Sequence, residues 1–267
     1  MNDATVELQE RIRATGKRIY CIAFSPRSGS TALAHDLERC GLGFPIEPFQ
    51  RLAYLREHTG RPVVEHIVDL VESAPGRFFG FKIAWEQAAR LSRALADEGI
   101  AVSGHDLRSV FPELTHLHLV REDKLAQAVS AWRARTSGRW HQRTDEPAPV
   151  VAERHDTPED LDTIRSMFLQ FVAEDWLWRD LFRRTRLPAT VVTYERYVDD
   201  RLGTLRSVAE AIGGPSPAVV PEGQTRILAD DRSTELADKL RVLLDAPTSP
   251  WWALTDADDP RSADPPL

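Results

Sequence analysis

Apolar residues in this chain are grouped in two ways: short unbroken runs, and longer stretches in which they recur every three or four positions. The first run, Arg18-Ile-Tyr-Cys-Ile-Ala-Phe24, is apolar after its opening residue and is closed by Ser25-Pro26. A continuous run of that length predicts a strand covered on both faces, as in a parallel sheet between helices. Similar runs predict strands at Phe78–Lys82, Thr115–Val120 and Ala189–Tyr194. Helical spacing predicts helices at about 63–74, 86–98, 122–137, 158–184 and 201–212, after a short amphipathic helix with Val6, Leu8 and Ile12 that ends at Gly16. The 158–184 helix opens with Thr157-Pro-Glu-Asp160, a capping box with proline at the first helical position. A Gly/Ser turn joins the first strand to a helix from about Ser30 to Arg39 that stops at Gly41. Strands alternating with helices predict an α/β fold, a parallel β-sheet flanked by helices. The stretches 138–156 and 246–267 read as loops, with Trp251-Trp252 expected to dock the tail on the body. With no repeat and no linker, the chain reads as a single domain, 1–267, frayed at about 1–16 and 255–267.

Composition narrows the class. The 267 residues are 42% apolar and 28% charged, which excludes a mainly disordered, collagen-like or coiled-coil chain. Lys and Arg total 34 against 41 Asp and Glu, a net charge of −7 that provides no global field for nucleic acid or an anionic membrane. No apolar run behind a basic N-terminal stub and no run of 18 apolar residues is present, so the expectation is a soluble, cytoplasmic protein with no membrane span. Cys21 and Cys40 are too few for a disulfide framework and read as reduced thiols. CxxC, HExxH and GxSxG patterns are missing, and no metal is expected.

The chemistry concentrates in Ser25-Pro-Arg-Ser-Gly-Ser-Thr31, after the first strand and at a helix start. A turn there aims backbone N–H groups and the positive end of a helix dipole at one point. Arg27 adds a fixed charge, Ser28, Ser30 and Thr31 add hydroxyls, and Gly29 lets a ligand oxygen approach the backbone. That combination suits a phosphate or sulfate group. It departs from the Walker pattern GxxxxGK[ST], because Ser30 stands at the lysine position and no glycine opens the loop. The bland alternative is a plain Ser/Gly turn.

These residues resemble the 5′-phosphosulfate loop of sulfotransferases that use 3′-phosphoadenosine 5′-phosphosulfate (PAPS). Arginine in place of the common lysine is similar to the bacterial trehalose 2-sulfotransferase type. Further stretches resemble that type in order: Glu47-Pro-Phe-Gln50, Phe79-Gly-Phe-Lys-Ile-Ala-Trp85 with Gln87, and His118-Leu-Val-Arg-Glu-Asp123 with Gln127-Ala-Val-Ser-Ala-Trp-Arg-Ala134. Tyr194-Glu195 and Asp230-Asp-Arg-Ser233 follow. The resemblance implies a P-loop NTPase-like sulfotransferase fold, PAPS as cofactor without a metal, a small-molecule hydroxyl acceptor that contains sugar, and a homodimer. It implies that Arg121 and Ser130 bind the 3′-phosphate, although their nine-residue separation departs from the usual eight, and that Glu47 is the general base.

Physical chemistry supports part of this. Arginine forks onto phosphate, and a hydroxyl adds a donor. Two anion sites after neighbouring parallel strands fit the rule for ligands in open α/β sheets. Glu47 lies between Gly41-Leu-Gly-Phe-Pro45 and Pro48, a loop expected to shield its carboxylate, while His35 and His66 are fallback bases. Lys82, at a strand end, is a candidate contact for acceptor or sulfonate, and Trp85 and Trp132 are candidate aromatic walls, with core packing as the alternative. Arg226 and Arg232 are weaker additions to the pocket, and Arg133, Arg135, Arg139, His141 and Arg143 form a basic stretch. The competing readings are a P-loop-like nucleotide kinase and a non-catalytic nucleotide-binding module.

Overall fold

β1 (Arg18–Phe24) buries six of its seven residues, and its side chains divide evenly between two cores. Ile19, Cys21 and Ala23 join one cluster, while Tyr20, Ile22 and Phe24 join the other. The strand therefore needs cover on both faces, which an all-parallel sheet with helices above and below supplies. The computed structural model describes residues 2–52, 58–138, 157–220, 236–238, 240 and 241. Arg139, His141, Arg143, Arg226, the Asp230–Ser233 stretch with Arg232, and the tail with Trp251-Trp252 lie outside them.

Four parallel strands run in the order β2 (Phe78–Ala84), β1, β3 (Thr115–Val120) and β4 (Ala189–Thr193). On one face pack α1 (Asp3–Ala14), α3 (Val63–Ser73), α4 (Trp85–Asp97) and part of α6 (Pro158–Thr185). On the other pack α2 (Ser30–Arg39) and α8 (Arg201–Ile212), with Tyr197 of the short α7 (Tyr194–Asp199). A third cluster joins α5 (Lys124–Ser137) to α6 and to Leu236, Ala237 and Leu240.

The register pairs Phe24 with Ala84 and with Leu119, and Val120 with Thr193. The four strands thus end level, and the residues that follow them (Ser25–Gly29, Arg121–Asp123 and Tyr194-Glu195) gather along one edge of the sheet. Gly80 shows how tight the packing is: a Cβ there would lie 2.3 Å from the Tyr20 ring, whose hydroxyl donates to the Leu42 carbonyl at 3.0 Å.

One expectation changes, at Tyr194. Residues 3–14 form the expected amphipathic helix: Asn2 caps α1 by accepting from the Thr5 N–H at 3.1 Å, and Leu8 and Ile12 are buried. Each such side chain contributes roughly 2 kcal/mol when buried, enough to hold a three-turn helix down. Tyr194 does not end β4 but begins α7, with the Thr193 hydroxyl accepting from the Arg196 N–H. The free Cys21 is buried and Cys40 half-buried.

Asp36 ties α2 to α7 and α8, accepting from the Tyr197 hydroxyl at 2.5 Å and from Arg201 Nε at 2.6 Å, with Arg201 Nη2 on its second oxygen. Asp36→Ala removes the acceptor for all of these donors and is expected to cost about 3 kcal/mol, the low end for breaking a buried pair because Arg201 reaches water. Urea unfolding at neutral pH measures this, and a loss below about 1 kcal/mol would show that the cluster is not holding the helices together.

Candidate active site

The loop between β1 and α2 is shaped by two residues with left-handed backbone, Arg27 (φ 66°) and Gly29 (φ 88°). Gly29 opens α2 without a side-chain cap, so the first-turn N–H groups are not consumed locally and can face an anion. It also has no room for a side chain, since a Cβ would lie 2.6 Å from Tyr194 Cδ2.

The predicted 5′ and 3′ anion residues form one continuous group. Arg27 Nε donates to Ser130 Oγ at 3.1 Å, and Arg121 Nη1 donates to the Arg27 carbonyl at 3.3 Å. The Arg121 guanidinium lies over the Tyr194 ring, 4.7 Å from its centroid. Burial and the neighbouring Arg121 push the Arg27 guanidinium below its ordinary value. Ser28 Oγ and Arg121 Nε are buried without a hydrogen-bond partner. Orphaned donors beside two guanidinium groups have the chemistry to receive an anion.

Glu47 reaches the same edge by another route. Ile46 forms a bridge with Phe81 at the edge of β2, and the Lys82 N–H donates to the Ile46 carbonyl at 2.7 Å. This sets Glu47 Oε1 3.0 Å from Lys82 Nζ, which lies 3.5 Å from Thr31 Oγ1. The carboxylate is therefore held by a buried ammonium rather than by apolar surroundings, as the loop sequence suggested. Thr31, Lys82 and Glu47 form a polar line from the loop outward.

Beneath the loop lies a buried network. Gln127 Nε2 donates to Ser25 Oγ at 2.9 Å and to the Pro26 carbonyl at 2.6 Å, and Ser25 Oγ donates to Asp175 Oδ1 at 3.2 Å. Lys124 Nζ pairs with Asp175 Oδ2 and donates to Gln127 Oε1 at 3.2 Å. Burial pushes the Asp175 carboxyl up and the Lys124 ammonium down from their usual values. Gln127 was visible only as part of a resembled stretch. Asp175 had a clearer signal: an acid four residues after Phe171 and three before Trp178, on the apolar stripe of α6.

Other candidates belong elsewhere. Trp85 stacks on His105 with ring centroids 3.7 Å apart and meets Trp178 edge-on. Trp132 is buried in the third cluster and donates from Nε1 to Asp160 Oδ1 at 3.1 Å. Both make packing contacts. His35 lies half-exposed against Phe44, and His66 on α3 has its value lowered by burial and then by Arg61.

A family model for Stf0 sulphotransferase matches residues 19–242. The chain belongs to the Stf0 sulphotransferase family. Two curated relatives are trehalose 2-sulfotransferases. The one from Mycolicibacterium smegmatis is 26% identical over 258 residues, covering 83% of this chain and 94% of the relative. The one from Mycobacterium tuberculosis is 26% identical over 262 residues, covering 84% and 95%. A solved sulfotransferase from Alicyclobacillus acidocaldarius aligns with a TM-score of 0.45 at 11% identity, covering 86% of this chain and 96% of that one.

In this sulphotransferase the histidines of β3 are structural. His118 is buried beside Phe182, and burial, with Arg179 and Lys124 nearby, lowers it to about 3. Its folded value lies below that of a free imidazole, so the stability it contributes is present above about pH 6.5 and is lost as the pH falls toward the folded value. Between pH 7.5 and pH 5 this site alone is expected to remove about 2 kcal/mol. Urea unfolding across that range should show a shallower pH dependence for His118→Leu by close to one proton, and parallel curves would contradict the assignment.

Proposed function

We propose that this chain transfers the sulfuryl group of PAPS to a hydroxyl of a carbohydrate or carbohydrate-containing metabolite, giving 3′-phosphoadenosine 5′-phosphate (PAP) and a sulfate ester. The carrying observation is the convergence of Arg27, Ser130 and Arg121 at one end of the loop with Glu47, Lys82 and Thr31 at the other. A donor with charge at both its 5′ and 3′ positions matches a site with two guanidinium groups and the orphaned Ser28 and Arg121 donors. The sugar acceptor is suggested by the two trehalose 2-sulfotransferase relatives.

Each residue has a defined task. Arg27 and the uncapped N–H groups of α2 neutralise the phosphate that departs as transfer proceeds. Arg121, with Ser130, holds the 3′-phosphate. Glu47 takes the proton from the attacking hydroxyl. Lys82 orients Glu47 and, beside Thr31, faces the oxygens of the group in transit. PAPS, when bound, supplies a sulfuryl group activated by its attachment to phosphate.

The test uses labelled PAPS with trehalose, other disaccharides and glycolipids as acceptors. Wild-type protein is expected to form a labelled sulfate ester with one of them. Glu47→Gln should lower transfer by about 10²-fold or more while leaving PAP affinity within about twofold. Arg27→Ala should weaken PAP binding by tenfold or more, on the scale of a lost charge-assisted contact. Equal loss of binding in both variants would remove Glu47 from the chemical step.

A further inference from the structure

The turn that follows Arg121 is held from outside. The Glu195 carboxylate accepts the Glu122 N–H at 3.0 Å through both oxygens and the Asp123 N–H at 3.2 Å. These N–H groups stand at the start of α5, where the helix field attracts an anion. Asp123 takes the next position, accepting from the Ala126 N–H at 2.9 Å. The end of α5 is thus already served by two carboxylates of the chain itself. Glu195 is preceded by Tyr194, whose ring is wedged between Gly29 and the Arg121 guanidinium. The first two residues of α7 therefore grip the Arg121 turn at its backbone and support its side chain from below.

We propose that Glu195 is a positioning residue for the 3′-phosphate: it fixes the backbone of residues 121–123 so that the Arg121 guanidinium stays over Tyr194 and turned toward the ligand. The inference rests on the reading that Arg121 binds that phosphate. A carboxylate near a phosphate site repels the ligand if proximity is its only effect, so its removal would tighten binding. A positioning role gives the opposite sign. The 5′ loop touches the Arg121 side chain and the Tyr194 ring but has a buried support of its own in Gln127, Ser25 and Asp175, so loss of Glu195 acts first on the Arg121 turn.

Calorimetric titration of the full chain with PAP and with AMP, which lacks the 3′-phosphate, separates the possibilities. Wild-type protein is expected to prefer PAP strongly, and Arg121→Ala to lose most of that preference. Glu195→Ala should weaken PAP by about tenfold, the scale of charge-assisted contacts, with AMP changed by less than twofold. Glu195→Gln, which keeps the shape and one acceptor and protects against a folding failure, should fall between the two. Thermal melts confirm that each variant is folded. PAP binding that tightens or is unchanged in both Glu195 variants overturns the proposal, as does an equal loss for PAP and AMP. A wild type without preference for PAP overturns the reading of Arg121 itself, and this inference with it.

Discussion

The site depends on where the Pro26 carbonyl points. A loop that offers N–H groups to an anion must turn its carbonyls away, and a buried carbonyl turned away needs a donor. Gln127 is that donor, and it is held by Ser25 on one side and by Lys124 on the other, with Asp175 joining both. Four buried polar residues, Ser25 just after β1, Lys124 and Gln127 of α5 and Asp175 of α6, thus serve to turn one peptide. With that peptide fixed, Arg27 can occupy its left-handed conformation and Gly29 can start α2 uncapped.

The second constraint is electrostatic. Arg27 and Arg121 are neighbours, and their mutual repulsion contributes to lowering Arg27. Neutral acceptors stand beside the two groups: the Ser130 hydroxyl accepts from Arg27 and the Arg27 carbonyl accepts from Arg121. Among the described residues, Glu195 accepts two backbone N–H groups, Glu47 pairs with Lys82 and Asp175 with Lys124.

The strands and most helices were legible because burial on two faces and a 3.6-residue stripe leave plain marks, and the observed bounds of β1, α2, β3 and α8 match the pattern. The Ser25–Gly29 turn was legible as a strand-to-helix loop because its glycine and hydroxyls follow a strand directly. α7 was not, since six residues carry too short a period and Tyr194 continues the apolar run of β4. The Glu47–Lys82 pair was hidden by a separation of 35 positions that only the Ile46 bridge to β2 closes. The two tryptophans show the limit of composition: an indole suits a sugar face and a core equally well, and only the structure shows Trp85 stacked on His105 and Trp132 packed in the third cluster.

The central claim is that the loop and the Arg121 turn together form a site for a nucleotide with charge at both 5′ and 3′ positions. Calorimetric titration of the purified chain with PAP, beside ATP with magnesium, tests it most directly. The account predicts tight PAP binding that is indifferent to magnesium, with ATP much weaker. ATP bound in preference to PAP, or neither nucleotide bound, would contradict it.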